Sequence, residues 1–341
     1  MKRYHYVGLD IHKKSISYCV KLPDGDIVKE GAIPATRAAL TAWVKALPRP
    51  WMGGMEATMF TGWIYDFLQT RGAQIKVGHP LRLKAIVSAK KKSDSLDART
   101  LADLLRANLF PECYMAPAIL RELRRVLRYR NLLVREAMRL KNKTSGLLME
   151  VGAQYDRSKL HGARYFDDLM NRLDDVPPSV LRLLRLSRAS AQFFEENQRW
   201  LLRELQKHPK LRSRVESLQS IRGVGEVTAL TWALEVGEPQ RFPSVKHAVS
   251  YCGLCAGHHE SAGKVLREPL SKQRNKNLQT ILIEAAKLAP RWNPQLAALY
   301  MRKRTSGANP NEATLAVARK LVAYLLYVDK TGKPFEAPQA A

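Results

Sequence analysis

Four acidic residues stand where they could act on one substrate. Asp10 closes an apolar run, Val7-Gly-Leu-Asp10, and Glu56 closes another, Gly53-Gly-Met-Glu56. Asp94 and Asp97 lie three apart in Ser93-Asp-Ser-Leu-Asp-Ala-Arg99, so they share a face if that segment is helical. Carboxylates gathered from several segments make a hard oxygen site suited to Mg²⁺. Two such ions can activate a nucleophile and stabilise a leaving oxygen in phosphoryl transfer. Each acid also has an ordinary reading: Asp94 as an N-cap with Asp97 at N3, Asp10 in an Asx-turn, Glu56 paired with a lysine. It is the set, in this order and at strand ends, that points to a shared metal site.

A second candidate is Ser271, in Leu270-Ser-Lys-Gln-Arg-Asn-Lys276. A serine hydroxyl is a poor nucleophile and needs a base, a metal or a cationic setting. Lys272, Arg274 and Lys276 supply the cations, which could hold a scissile phosphate. The sequence alone reads Ser271 more simply as the N-cap of the helix that follows. Cys252-Gly-Leu-Cys255 with His258 and His259 offers zinc-ligand types but no second well-spaced pair, and a packed turn of small residues accounts for it.

The elements that must position the acids follow from periodicity. Residues 4–33 alternate as three strands, Tyr4–Asp10, Ser15–Leu22 and Ile27–Ile33, with Pro23-Asp-Gly-Asp26 as the last turn. A helix is predicted over 36–46, a strand into Glu56, a helix near 63–70, a strand over 74–77 and a helix over 94–108. Three antiparallel strands followed by alternating helices and strands is the order of an RNase H-like α/β fold. There the acids at strand ends and on a flanking helix can converge. This domain is assigned to residues 1–117.

Residues 118–210 read as a helical, coiled-coil insertion. Leu123, Val126, Leu133, Ala137, Leu140, Leu147 and Val151 form one stripe, and Val180, Leu184, Ala191, Phe194, Leu201 and Leu205 a second. Residues 119–143 carry nine Arg or Lys against two Glu, a basic rod on which Arg124, Arg128 and Arg135 are expected to bind nucleic acid. Residues 211–335 read as a mainly α C-terminal domain. In it Ser220-Ile-Arg-Gly-Val-Gly225 resembles the turn of a helix-hairpin-helix, with Gly223 and Gly225 letting backbone N–H groups approach a phosphate. A long helix is predicted from about Asn275 to Leu288.

The whole-chain charge agrees. With 57 Lys and Arg against 31 Asp and Glu, the formal charge of +26 attracts polyanions, so nucleic acid is the expected partner class. The longest apolar run, Leu321–Val328, is far shorter than the ~20 residues of a spanning helix, so no membrane role is expected. No signal-peptide pattern opens the chain, and four cysteines suit a reducing cytoplasm.

Gly8-Leu-Asp-Ile-His12, Met55-Glu-Ala-Thr58 and Ser93–Arg99 resemble the three acidic blocks of the DEDD transposases of bacterial insertion sequences. That family includes the pilin-gene invertase Piv and the bridge-RNA-guided recombinases. The Ser220–Gly225 and Leu270–Leu278 blocks are similar to its C-terminal transposase domain, so the resemblance runs over nearly the whole chain. It implies a RuvC-like nuclease domain, a coiled-coil insertion, and a metal-binding tetrad of Asp10, Glu56, Asp94 and Asp97. It implies Ser271 as nucleophile, element ends and target DNA as substrates, and a tetramer built as a dimer of dimers. A non-coding guide RNA is implied in one branch. Family members commonly carry Lys-x-Gly-Asn after the serine; this chain has Lys272-Gln-Arg-Asn275. A metal-dependent nuclease of branched DNA, needing the acids and not Ser271, is the alternative, and a non-catalytic basic binder the third reading.

Overall fold

The computed structural model describes residues 4–72, 74–86, 93–261 and 264–336. The chain divides into two compact units after Ala118. The first is mixed α/β and the second mostly helical.

In the first unit, β1 (His5–Ile11), β2 (Ser15–Lys21) and β3 (Ile27–Pro34) form an antiparallel meander. Thr36 then caps α1 (Arg37–Lys45) by accepting from the Ala39 N–H. β4 (Trp51–Glu56) lies parallel to β1, and after α2 (Thr61–Gln69) β5 (Gln74–Gly78) lies parallel to β4. The sheet order is β3-β2-β1-β4-β5, with β1 central. α3 (Pro80–Ile86) and α4 (Asp94–Arg106) complete the unit.

The two faces of the sheet follow from the period of two. Val7, Leu9 and Ile11 of β1 join Leu40, Trp43, Ile64 and Phe67 in a core on the α1–α2 face. Tyr6 instead faces Leu101, Leu104 and Leu105 of α4. Gly8, between them in phase with Tyr6, is what lets α4 lie on β1: a Cβ there would stand 1.9 Å from the Ala98 carbonyl oxygen. Two ion pairs hold the helix against the meander, Lys21–Asp103 at 2.6 Å and a two-pronged Arg99–Glu30 contact. Ser93, not Asp94, caps α4, its hydroxyl accepting from the Leu96 N–H; Asp94 and Asp97 stand inside the first turn. There their negative charge also complements the helix dipole.

The second unit opens with α5 (Ala118–Glu150), which, after α6 (Ala163–Met170), is answered by α7 (Pro178–Lys207). Of the buried positions of α7, Leu184, Ala191 and Leu205 fall on the predicted stripe, with Ser187 a polar member between them. At one end of this helical pair Leu147, Leu148, Phe166, Leu169 and Leu184 form a small core of their own. At the other, Leu123, Leu127 and Leu205 join the main core of the unit.

That core is built from α8 (Pro209–Gln219), α9 (Glu226–Val236), α10 (Val245–Tyr251), α11 (Lys276–Leu288), α12 (Pro294–Thr305) and α13 (Pro310–Thr331). α9 is buried all round, with Trp232 wholly enclosed. A hairpin of β6 (Ala256–Ser261) and β7 (Lys264–Leu270) interrupts the helices. No helix among the described residues is long and apolar enough to cross a membrane.

Candidate active site

The register Leu9↔Met55 between parallel β1 and β4 brings the next residues, Asp10 and Glu56, to the same edge of the sheet. Alternation turns both toward the α4 face, the face of Gly8 and Gly54. The first turn of α4 lies over that edge, because Gly8 admits its backbone one turn further on. Asp10, Asp94 and a residue the spacing argument did not select, His12, then come together: one ligand atom from each lies within 4.8 Å of the others. His12 Nε2 is 2.9 Å from Asp10 Oδ2 and 3.4 Å from Asp94 Oδ1. Asp97 and Glu56 flank this group without belonging to it. His12 was legible in principle, since it follows Asp10 by two residues and so shares its side of the strand.

The electrostatics are those of a half-buried carboxylate beside an imidazole and further acids. Burial raises the Asp10 pKa; the His12 charge and hydrogen bond oppose this, and the neighbouring charges of Asp97 and Asp94 add to it. Desolvation works against a charged His12, but the charges and hydrogen bonds of Asp10 and Asp94 together outweigh it and raise its pKa. Two carboxylates and an imidazole are a donor set for a divalent cation, and the raised Asp10 pKa marks a place where added positive charge is favourable.

Ser271 stands in the turn between β7 and α11. The cap of α11 is Asn275, whose Oδ1 accepts from the N–H groups of Asn277 and Leu278, so Ser271 is not spent as the helix cap. Its hydroxyl accepts from the Gln273 N–H at 3.1 Å, and its own N–H donates to the Cys255 carbonyl at 3.0 Å. Arg274 occupies the place of the family's glycine with no positive φ, so the turn does not demand one. Instead the glycine is across the way: Gly253, at φ +71°, leaves the room in which a Cβ would stand 2.4 Å from that of Arg274. Arg274 also donates to the Ser271 carbonyl at 3.0 Å. Lys272, next to the serine in sequence, and Lys276, the first residue of α11, are exposed.

The other predicted nucleic-acid contacts separate. Arg135 is exposed on α5. Arg124 and Arg128 reach within the unit, Arg124 to the Leu234 carbonyl at 2.7 and 2.9 Å, and Arg128 by two bonds of 2.8 Å to Glu235, which is wholly buried. Gly223 does form a tight turn between α8 and α9, packed on Ala289, and Gly225 precedes α9. Glu226 follows in the first turn of α9, hydrogen-bonded to Gln206. Cys252 is fully buried and burial pushes its thiol up to about 12, which suits a packed turn better than a metal thiolate. The side chains of His258 and His259 lie outside the described residues.

Known proteins match this arrangement along the chain. A DEDD transposase model of the IS110 type matches residues 7–152, and the model of the transposase IS116/IS110/IS902 family matches residues 215–301. The transposase for insertion sequence element IS1328 of Yersinia enterocolitica is 22% identical over 96% of this chain and 98% of its own length. The transposase for insertion sequence element IS1111A of Coxiella burnetii is 24% identical over 94% of this chain and 88% of its own. The pilin gene-inverting protein of Moraxella bovis is 26% identical over 38% of this chain and 40% of its own. With the acidic blocks and the serine block both inside the matched segments, the chain belongs to the DEDD transposase family of IS110-type insertion sequences.

Proposed function

We propose that this protein cuts and rejoins the DNA of an insertion sequence, using a cation held by its acidic group and Ser271 as nucleophile. The observation that carries the reading is the convergence of Asp10, His12 and Asp94 under the N-terminus of α4, in a chain of this family. The sheet order, with an antiparallel meander extended by two parallel strands, supports assigning the N-terminal unit to the RNase H-like, RuvC-like class. Asp10, Glu56, Asp94 and Asp97, joined by His12, are the residues that would hold Mg²⁺. Bound there, the ion would polarise the phosphate and stabilise negative oxygen.

The protein's own part is positional. Ser271 Oγ forms a bond to phosphorus, its proton passing to solvent or a nearby base. The bond from phosphorus to one DNA oxygen breaks, and that oxygen leaves as a hydroxyl. Attack of a DNA hydroxyl on the phosphoserine ester later restores the serine and joins the strands. Lys272, Arg274 and Lys276 hold the phosphate, and the exposed Arg135 contributes to affinity. Gly223 and Gly225 offer backbone N–H groups to a neighbouring phosphate.

Exchange of strands needs several cuts at once, so the active form is a homo-oligomer, a tetramer built as a dimer of dimers. Leu186, Phe193 and Trp200, exposed and seven residues apart on α7, support a seam between copies. The charge of +26 leaves room for a non-coding guide RNA beside the DNA, and the protein works in the bacterial cytoplasm.

Protein, Mg²⁺ and labelled element-end DNA test the reading together. A covalent protein–DNA adduct that disappears in Ser271→Ala is expected. Cleavage that persists in Ser271→Ala without an adduct would assign the chain instead to water-using, RuvC-like nucleases.

A further inference from the structure

A fully buried acid of the second unit lies outside the acidic group and the serine turn, yet it is tied to that turn. Glu235, in the last turn of α9, has no exposed surface. Both its oxygens are occupied. Oε1 accepts from Arg128 at 2.8 Å and from the Asn277 amide at 2.9 Å; Oε2 accepts from Arg128 at 2.8 Å and from the Asn275 amide at 2.8 Å. Arg124 adds its charge at 3.7 Å. Burial alone would raise the Glu235 pKa, but these hydrogen bonds and charges hold it below the usual carboxylate range. Unpaired, such a charge would be costly; here it is compensated on every side.

Asn275 is the joint. Its oxygen caps α11 while its nitrogen grips Glu235, so the amide cannot rotate without losing both sets of bonds. Its backbone N–H donates to the Tyr251 carbonyl at 3.0 Å, and the Tyr251 hydroxyl donates to the Glu235 carbonyl at 3.0 Å. The turn from Ser271 to Asn275 is thus pinned at one end to Cys255 and at the other to Glu235.

We propose that Glu235 is the positioning residue for Ser271: through Asn275 it fixes the end of the turn that presents the hydroxyl, with Arg124 and Arg128 of α5 supplying the counter-charge. This rests on the reading of Ser271 as the nucleophile. It also gives the two arginines a role in the serine site. A misplacement of about 1 Å in a reacting group can cost roughly 100-fold in rate, so a loosened turn should register in the covalent step before it registers in DNA binding.

The test uses the full chain as Glu235→Gln, Asn275→Asp and the double variant, at a temperature where all are folded. Glu235→Gln puts an amide nitrogen against donors. The double variant restores a donor–acceptor pair and returns the negative charge, while aspartate still caps the helix. Two quantities are read: adduct formation at saturating element-end DNA, and amide hydrogen exchange over 271–278. Each single variant is expected to slow the adduct step about 10- to 100-fold with DNA affinity unchanged and to speed exchange in that segment. The double variant should recover a good part of both. If exchange over 271–278 is unchanged, or if it quickens while the adduct rate stays at the wild-type value, Glu235 does not position the serine. If the wild-type protein itself forms no Ser271-dependent adduct, the nucleophile assignment fails first and this proposal with it.

Discussion

The acidic group at the edge of the N-terminal sheet and the Glu235 cluster of the second unit each hold a carboxylate partly or wholly out of water, Asp10 and Glu235, with opposite charge balance. At the first, Asp10 and Asp94 share a single imidazole with Asp97 nearby, and the Asp10 pKa is raised. At the second, one carboxylate meets two guanidinium groups and two amides, and its pKa is lowered. A site short of positive charge is one that gains from a bound cation; a site already compensated has no use for one. The first therefore suits chemistry on phosphate and the second suits holding a fold in place. The same residue type serves both ends, and the neighbours decide which.

The sharpest way to break this contrast is through activity. Asp10→Asn or Asp97→Asn should lower strand cleavage at least about 100-fold, with gel-shift affinity for DNA within a few-fold of wild type. Equal loss of cleavage and binding would mean the acids shape the fold rather than act on phosphate.

The next effect is on stability, and its sign differs between the two places. The folded Asp10 pKa lies above its ordinary value of about 3.9, so the ionised form costs stability. That cost is absent below the ordinary pKa and grows as pH rises through the folded one. Asp10→Asn in metal-free protein should therefore raise the Tm of the first unit by a few degrees at neutral pH, and the gain should vanish in acid. Glu235 contributes stability above its ordinary pKa of about 4.3, lost as pH falls through its lower folded value. Glu235→Ala should lower stability at neutral pH by roughly 3 kcal/mol, since it strands buried donors. Urea unfolding with the same sign for both variants would end the comparison.

The smallest effect sharpens it on the basic helix. Arg135→Gln should reduce the salt dependence of DNA binding by about one unit of slope, if its phosphate contact is lost. Arg128→Gln should leave that slope nearly unchanged and instead destabilise the second unit, because its guanidinium is engaged by Glu235. Equal slope changes would return Arg128 to the nucleic-acid face.

Much of the framework was local and so could be read from one dimension. Alternation gave the five strands to within a residue or two, the helix α4 was expected in its place, and 3–4 spacing gave α5 and α7 with most of their buried positions. The acidic residues stood out because strand ends and helix turns have signatures within a few residues. Chemistry-bearing neighbours far apart in sequence had no such signature. The β6–β7 hairpin lay hidden in a basic stretch whose charges masked its alternation. The Ser271 turn has its cap on Asn275, because tertiary contacts with Glu235 orient that amide and a local propensity for serine caps does not. Arg124 and Arg128 looked like part of a basic face until α9 brought Glu235 beneath them.

What the sequence determined by itself is the inventory and its phase: which residues lie on which side of each strand and helix, fixed by the backbone repeat. Tertiary structure alone decided the distances between them. Gly8 admits α4 close enough to bring Asp94 to Asp10 and His12, and a buried glutamate engages two arginines of the basic helix from beneath. Both depend on which backbones approach one another, and that is set by packing between segments that no periodicity within either one records.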